Sequence, residues 1–220
     1  MVNILFDCPN IDDFCDELKD YFSKNSRVAV IAFSFYDDYV YDTETWEQIY
    51  GKGIGNCYFE TIEPLGVLGV PEENMVFINY FTDTKETARQ KIENANVLYF
   101  TGGLPDRMMD RIEEFDLTEV LKAFDGVVVG YSAGAVIQLK EYHLTPDNDY
   151  PAFGYYRGLG YIDDLCIEVH YEHKEIQDAS VKRVLKERRK PVYVTHTRQG
   201  GIVVEKDRVR MLGNVDLYTP

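Results

Sequence analysis

The stretch from Gly126 to Ile137 constrains this chain more than any other. Gly126-Val127-Val128-Val129-Gly130 reads as a strand without a polar side chain, and it runs directly into Gly130-Tyr131-Ser132-Ala133-Gly134. A strand that is apolar throughout suits the middle of a parallel sheet covered on both faces. The G-x-S-x-G pentapeptide, followed by Ala135-Val136-Ile137 as a helix start, sets out a strand, a tight turn and a helix. Glycines are needed there because the turn is strained and leaves little room beside the serine. A hydroxyl so placed stands above the sheet at a helix N-terminus, which favours developing negative charge. Ser132 is therefore the candidate nucleophile.

The rest of the chain fits the sheet this segment demands. Apolar runs at 27–33, 75–80, 96–100, 165–169, 192–195, 201–204 and 208–212 read as strands. Helices are expected from Thr82-Asp83 to about Asn94 with Glu86 as a capping partner, from Pro105 onward, through Val120 and Leu121, from Ser132, and over 174–190. Such alternation predicts an α/β fold: three layers, a doubly wound, mostly parallel sheet with helices on both sides. One domain over residues 1–220 suffices, since no repeat or linker interrupts the pattern. The segment 145–157, rich in Pro, Asp and aromatics, reads as an active-site loop.

Composition narrows the function classes. A formal charge of −15 repels phosphate backbones, so nucleic acid is not an expected partner. No apolar run is long enough to span a bilayer, and no membrane partner is expected. Cys8, Cys15, Cys57 and Cys166 show no CxxC spacing, so a zinc knuckle is not expected. Asn3 and Asp7 break the first apolar run and no basic segment precedes it, so no secretory leader is read there. These features imply a cytoplasmic protein with free thiols.

Two further segments carry chemistry. Thr101-Gly102-Gly103 closes a strand with two glycines, which lets a backbone N–H of this segment approach a ligand and, with the Ala133 N–H, form an oxyanion hole. A serine nucleophile also needs a base, and the chain has four histidines. His170 ends the strand Leu165-Cys166-Ile167-Glu168-Val169, at the edge where α/β sites gather. His196 ends another strand and is second choice. His143 lies close in sequence to the elbow, and His173 is expected to face solvent.

These segments together resemble the S51 serine peptidases, the family of peptidase E (α-aspartyl dipeptidase) and cyanophycinase. The likeness rests on Tyr99-Phe100-Thr101-Gly102-Gly103, on Gly130-Tyr131-Ser132-Ala133-Gly134-Ala135, and on Gly158-Leu159-Gly160-Tyr161 with Glu168-Val169-His170-Tyr171. It implies a fold like the class I glutamine amidotransferases, with serine at the usual cysteine position. It also implies hydrolysis of a short peptide without metal or organic cofactor: Ser132 as nucleophile, His170 as base, Gly103 and Ala133 as oxyanion donors. Asp147 matches an acid in a similar loop of peptidase E and is the candidate to orient His170, in preference to Glu168, Glu172 and Glu205. Where another family acid lies before a late strand, this chain reads His196-Thr197-Arg198-Gln199-Gly200-Gly201, and Leu104-Pro105 replaces the usual Asn-Thr after the oxyanion glycines. Arg157 and Arg198 are candidates to hold an acidic substrate side chain. A cyanophycinase-like enzyme and a non-catalytic binding protein of the same fold are the alternatives, and a homodimer is compatible with either.

Overall fold

The computed structural model describes residues 1–206 and 208–220. Along these the chain forms β1 (Val2–Phe6), α1 (Cys15–Leu18), β2 (Val28–Ile31), α2 (Thr43–Tyr50), α3 (Asn56–Val67), β3 (Met75–Ile78), α4 (Lys85–Glu93), β4 (Val97–Phe100) and α5 (Pro105–Glu114). It continues with α6 (Thr118–Lys122), β5 (Val127–Tyr131), α7 (Ala133–Val136), β6 (Glu141–Leu144), β7 (Gly154–Arg157), β8 (Cys166–Tyr171), α8 (Glu175–Arg188), β9 (Val192–Glu205) and β10 (Arg208–Tyr218).

Strand alternation builds the layers. Successive side chains of a strand point to opposite faces. Leu5, Ala29, Ile31, Leu98, Phe100 and Val128 enter one core, with Met108 and Ile112 of α5 and Ala135 and Val136 of α7. Ile4, Phe6, Val28, Val30, Tyr99 and Val129 enter the other, with Ile62 and Leu65 of α3. Both faces are thus covered, which is why Val127–Val129 of β5 are all apolar. Each fully buried Leu, Ile, Val or Phe contributes about 1.5–3 kcal/mol, and these strands hold most of that burial.

The sheet runs β10-β9-β1-β5-β4-β2-β3, with β8 beside β9. The β1–β5, β5–β4, β4–β2 and β2–β3 pairs are parallel, whereas β9 is antiparallel to both β1 and β10. The result is the expected α/β architecture: a mostly parallel sheet with helices on both sides, consistent with a class I glutamine amidotransferase-like fold. Among the described residues, no helix is long and apolar enough to cross a membrane.

The departures from the sequence reading have local causes. The helix expected from Thr82 begins at Lys85, because Thr84 caps it by accepting the Thr87 N–H at 3.2 Å; Thr87, not Glu86, completes the reciprocal pair. The segments at 192–195 and 201–204 are one strand, β9, since β10 pairs with it on both sides of a bulge between Gly213 and Val215. The 145–157 loop is shorter than expected, because Gly154–Arg157 pairs antiparallel with β6 as a hairpin. β1, which the sequence reading left unassigned, lies between β5 and β9 in the sheet.

Candidate active site

Ser132 occupies the turn between β5 and α7 with φ 51° and ψ −115°, a conformation that non-glycine residues adopt at measurable cost. Its neighbours show why the pentapeptide has its glycines. A Cβ on Gly130 would lie 2.0 Å from the Gly134 carbonyl oxygen, and one on Gly134 would lie 2.1 Å from that of Phe100. The turn is held from β1, where the Phe6 carbonyl accepts the Ser132 N–H at 2.9 Å.

Helix α7 spans only Ala133–Val136, so its macrodipole is small. Charge stabilisation therefore falls to individual N–H groups. Gly103, at φ 137°, lines the same cavity as Ser132 and Ala133. Its backbone runs against the segment that follows β2, and a Cβ there would lie 2.2 Å from the Ser34 carbonyl oxygen. Ala133 is the first residue of α7, and a first-turn N–H has no partner within its helix. Among the described residues, the Gly103 N–H makes no backbone hydrogen bond.

His170 reaches Ser132 through a bulge. The β8–β9 register breaks between Glu168 and Tyr171, and His170 takes φ 56°. Its Nε2 lies 2.8 Å from Ser132 Oγ. Its Nδ1 faces Asp7 Oδ2 at 3.7 Å. Asp7 follows β1 directly and is fully buried, with Oδ2 accepting the Arg198 N–H at 2.7 Å while Oδ1 has no partner among the described residues. Cys8 Sγ lies 3.5 Å from Asp7 Oδ2. Burial of the imidazole alone would lower its pKa; hydrogen-bonding and charge from Asp7 and Cys8 outweigh it and raise the pKa to about 9.

The other sequence candidates fall elsewhere. Asp147, expected to orient His170, spends Oδ1 on the N–H groups of Asp149 and Tyr150 at 2.9 and 2.7 Å, an Asx turn at the cavity rim. Among the described residues, the carboxylate within ion-pair distance of His170 is that of Asp7. Arg157 sits exposed on β7 and lines a different hollow with Lys140 and Tyr155. Arg198 contributes its backbone N–H to Asp7, and its side chain is absent from the lining of the Ser132 cavity. His196 pairs with Asp216 at 2.9 Å, and His143, which lines the cavity, pairs with Glu168 at 2.7 Å; the histidine bonded to Ser132 is His170. Sequence reasoning missed Asp7; an acid directly after an apolar run near the N-terminus was the available signal.

The cavity around Ser132 encloses about 540 Å³. Tyr36, Pro105, Val136, Leu144, Pro146 and Tyr150 supply apolar and aromatic wall. The 145–153 loop is pinned over it: Asp149 accepts the Tyr36 hydroxyl at 2.7 Å, and Asp106 accepts that of Tyr150 at 2.6 Å. Asp147, Asp149, Glu168 and Glu172 are its carboxylates; Lys174 is its only Lys or Arg among the described residues, and it pairs with Glu172 at 2.5 Å.

Comparison with known proteins agrees with the fold. Residues 65–212 match the model of peptidase family S51. No curated protein matches the chain. A solved structure from Listeria monocytogenes EGD-e, described as a "Putative Peptidase E Protein", superposes with a TM-score of 0.67 at 17% identity, covering 97% of this chain and 98% of that one. A peptidase from an acI-B1 Actinobacterium superposes with a TM-score of 0.61 at 14% identity, covering 99% of this chain and 93% of that one.

Proposed function

The chain belongs to peptidase family S51, and from that premise we propose that it is a serine-type peptidase acting on short peptides, with Ser132 and His170 as its reacting pair. The observation that carries the reading is the 2.8 Å contact between Ser132 Oγ and His170 Nε2 at a strained strand-to-helix turn. Ser132 Oγ attacks the scissile carbonyl carbon while His170 Nε2 takes its proton. The carbonyl oxygen becomes an oxyanion facing the Gly103 and Ala133 N–H groups. His170 then returns the proton to the leaving amine, and water, deprotonated by His170, releases the acyl group. Asp7, beside Nδ1, holds the ring with its proton on that nitrogen and stabilises the imidazolium, the role expected of Asp147.

The cavity lining bears on the substrate. An acidic side chain would need a cation, and Lys174, the only lining lysine among the described residues, is already paired with Glu172. The lining therefore favours peptides with neutral or basic side chains over aspartyl dipeptides. Four free cysteines fit a reducing, cytoplasmic setting.

A fluorophosphonate probe tests the nucleophile. Wild-type protein is expected to be labelled at Ser132 and Ser132→Ala left unlabelled. A folded wild-type protein that never reacts, beside a control hydrolase that does, would return the chain to the non-catalytic binding reading. A dipeptide panel then separates substrates: cleavage confined to Asp-X peptides would overturn the preference drawn from the lining.

A further inference from the structure

Asp7 and Cys8 are consecutive in sequence, and His170 arrives from β8. Their donor atoms, a carboxylate oxygen, a thiol sulfur and Nδ1, all lie within 4.8 Å of one another. The hydrolytic cycle uses Asp7 and the imidazole but leaves Cys8 without a task. We propose that Asp7, Cys8 and His170 form a binding site for a zinc-like transition-metal ion, and that occupancy switches the hydrolase off.

The spacing suits such an ion. Bonds of about 2.0 Å to nitrogen and oxygen and about 2.3 Å to sulfur give tetrahedral edges of about 3.3–3.6 Å. The measured separations are 3.5 Å from Cys8 Sγ to Asp7 Oδ2 and 3.7 Å from Asp7 Oδ2 to His170 Nδ1. These two edges lie within a few tenths of an ångström of the ideal, and the third, Cys8 Sγ to His170 Nδ1, is no longer than 4.8 Å. One sulfur, one nitrogen and one oxygen match a borderline-soft ion and exclude calcium or magnesium, which want shells of oxygen. A second observation points the same way: Asp7 is fully buried, yet its Oδ1 has no partner among the described residues. A cation bound through Oδ2 would compensate the charge of this buried, under-bonded carboxylate. Three protein ligands leave the fourth position to water.

The inhibition follows from proton placement. On binding, the Cys8 thiol gives its proton to solvent and the thiolate takes the metal. His170 binds as neutral imidazole through Nδ1, so its one ring proton sits on Nε2. That N–H then faces Ser132 Oγ across the 2.8 Å contact and cannot accept a proton from it. The nucleophile loses its base although neither Ser132 nor the oxyanion donors have moved.

The binding claim stands on geometry alone, whereas the inhibition claim rests on the hydrolase reading; two measurements separate them. Cobalt(II) is titrated into metal-free protein and the thiolate-to-cobalt charge-transfer absorption followed. Wild-type protein is expected to develop the band at one equivalent, and zinc(II) to abolish it. Cys8→Ala should lack the band, with Cys15→Ala and Cys166→Ala as folded controls that keep it. Absence of the band in wild type, or its persistence in Cys8→Ala, overturns the site. Fluorophosphonate labelling is then timed with and without zinc(II). Zinc should stop labelling of wild type until a chelator restores it, while Cys8→Ala labels at a rate insensitive to zinc. A cobalt band with zinc-independent labelling overturns the switch. Failure of every variant to label, with the band intact, overturns the hydrolase reading and leaves the metal site standing.

Discussion

Asp7 and His170 meet because β9 touches both of their strands. Its first half pairs with β8 and its second half with β1, and between them Arg198, at φ 58°, turns its N–H onto Asp7 Oδ2. A carboxylate is thereby fixed beside Nδ1 of an imidazole whose other nitrogen contacts Ser132. The resulting prediction sets Asp7 against Asp147. Asp7→Asn should lower turnover by about 10²–10⁴-fold with folding retained, since an amide beside Nδ1 no longer stabilises the imidazolium or selects its tautomer. Asp147→Asn should stay close to wild type, because its carboxylate serves its own turn. Turnover of both variants on one cleavable peptide decides; a larger loss in Asp147→Asn would reverse the assignment.

The same contact sets a pH dependence. His170 accepts a proton only when neutral, and its pKa stands at about 9 because Asp7 and Cys8 outweigh the opposing effect of burial. Fluorophosphonate labelling should therefore climb from pH 7 and level off as pH passes 9. In Asp7→Asn the midpoint should fall while the plateau also falls, which a purely structural role for Asp7 would not produce. Because the folded pKa is raised above its ordinary value, the stabilisation from this group is complete below the ordinary histidine range and is lost as pH rises through about 9. A flat labelling profile between pH 6 and 9 would contradict the raised pKa.

Gly103 gives a prediction about folding and chemistry together. Alanine there meets both an unfavourable φ of 137° and the Ser34 carbonyl oxygen at 2.2 Å. Gly103→Ala should lose about 2–3 kcal/mol of stability, and the protein that remains folded should label more slowly because the oxyanion donor is displaced. Gly53, whose added Cβ meets nothing within 4 Å despite φ 71°, is the control. Urea titration of both variants checks it; equal losses would mean that the Ser34 contact is irrelevant.

How much of the site could be read from sequence follows from how local each signal is. Ser132 was legible because strand, turn and helix are contiguous and each glycine answers a contact within the same supersecondary unit or the adjoining strand. His170 was legible as a strand end, although the bulge that turns its ring was not. Asp7 was not, because its partnership depends on β9 bridging two strands far apart in sequence, and no spacing rule encodes that bridge. Arg157 and Arg198 were placed by proximity in sequence to the loop and the late strand; β-pairing sends one to an outer hairpin and uses the other for its backbone. The core strands other than β1 were legible, because runs such as Val28–Ile31 and Val97–Phe100 bury every residue; in β1 the polar Asn3 interrupts the apolar run.

The last prediction concerns a second histidine–carboxylate pair, in the cavity wall. His143 Nε2 and Glu168 Oε2 lie 2.7 Å apart, with side chains 1% and 5% exposed, and Thr145 Oγ1 donates to the same carboxylate oxygen at 2.9 Å. His143 also stacks on Phe153, 5.8 Å between ring centroids. The pair ties β6, before the 145–153 loop, to β8, which carries His170. Removing one partner leaves the other buried with part of its hydrogen bonding unmet, whereas removing both leaves little to strand. His143→Leu and Glu168→Leu should each cost about 3–5 kcal/mol, and the double variant clearly less than their sum. Urea midpoints of the three proteins measure this. Both line the cavity, but they bond to each other and not to Ser132 or His170, so any folded variant should keep the wild-type pH midpoint of fluorophosphonate labelling. Additive losses would show that the two side chains act independently, and a shifted midpoint would place the pair in electrostatic contact with His170.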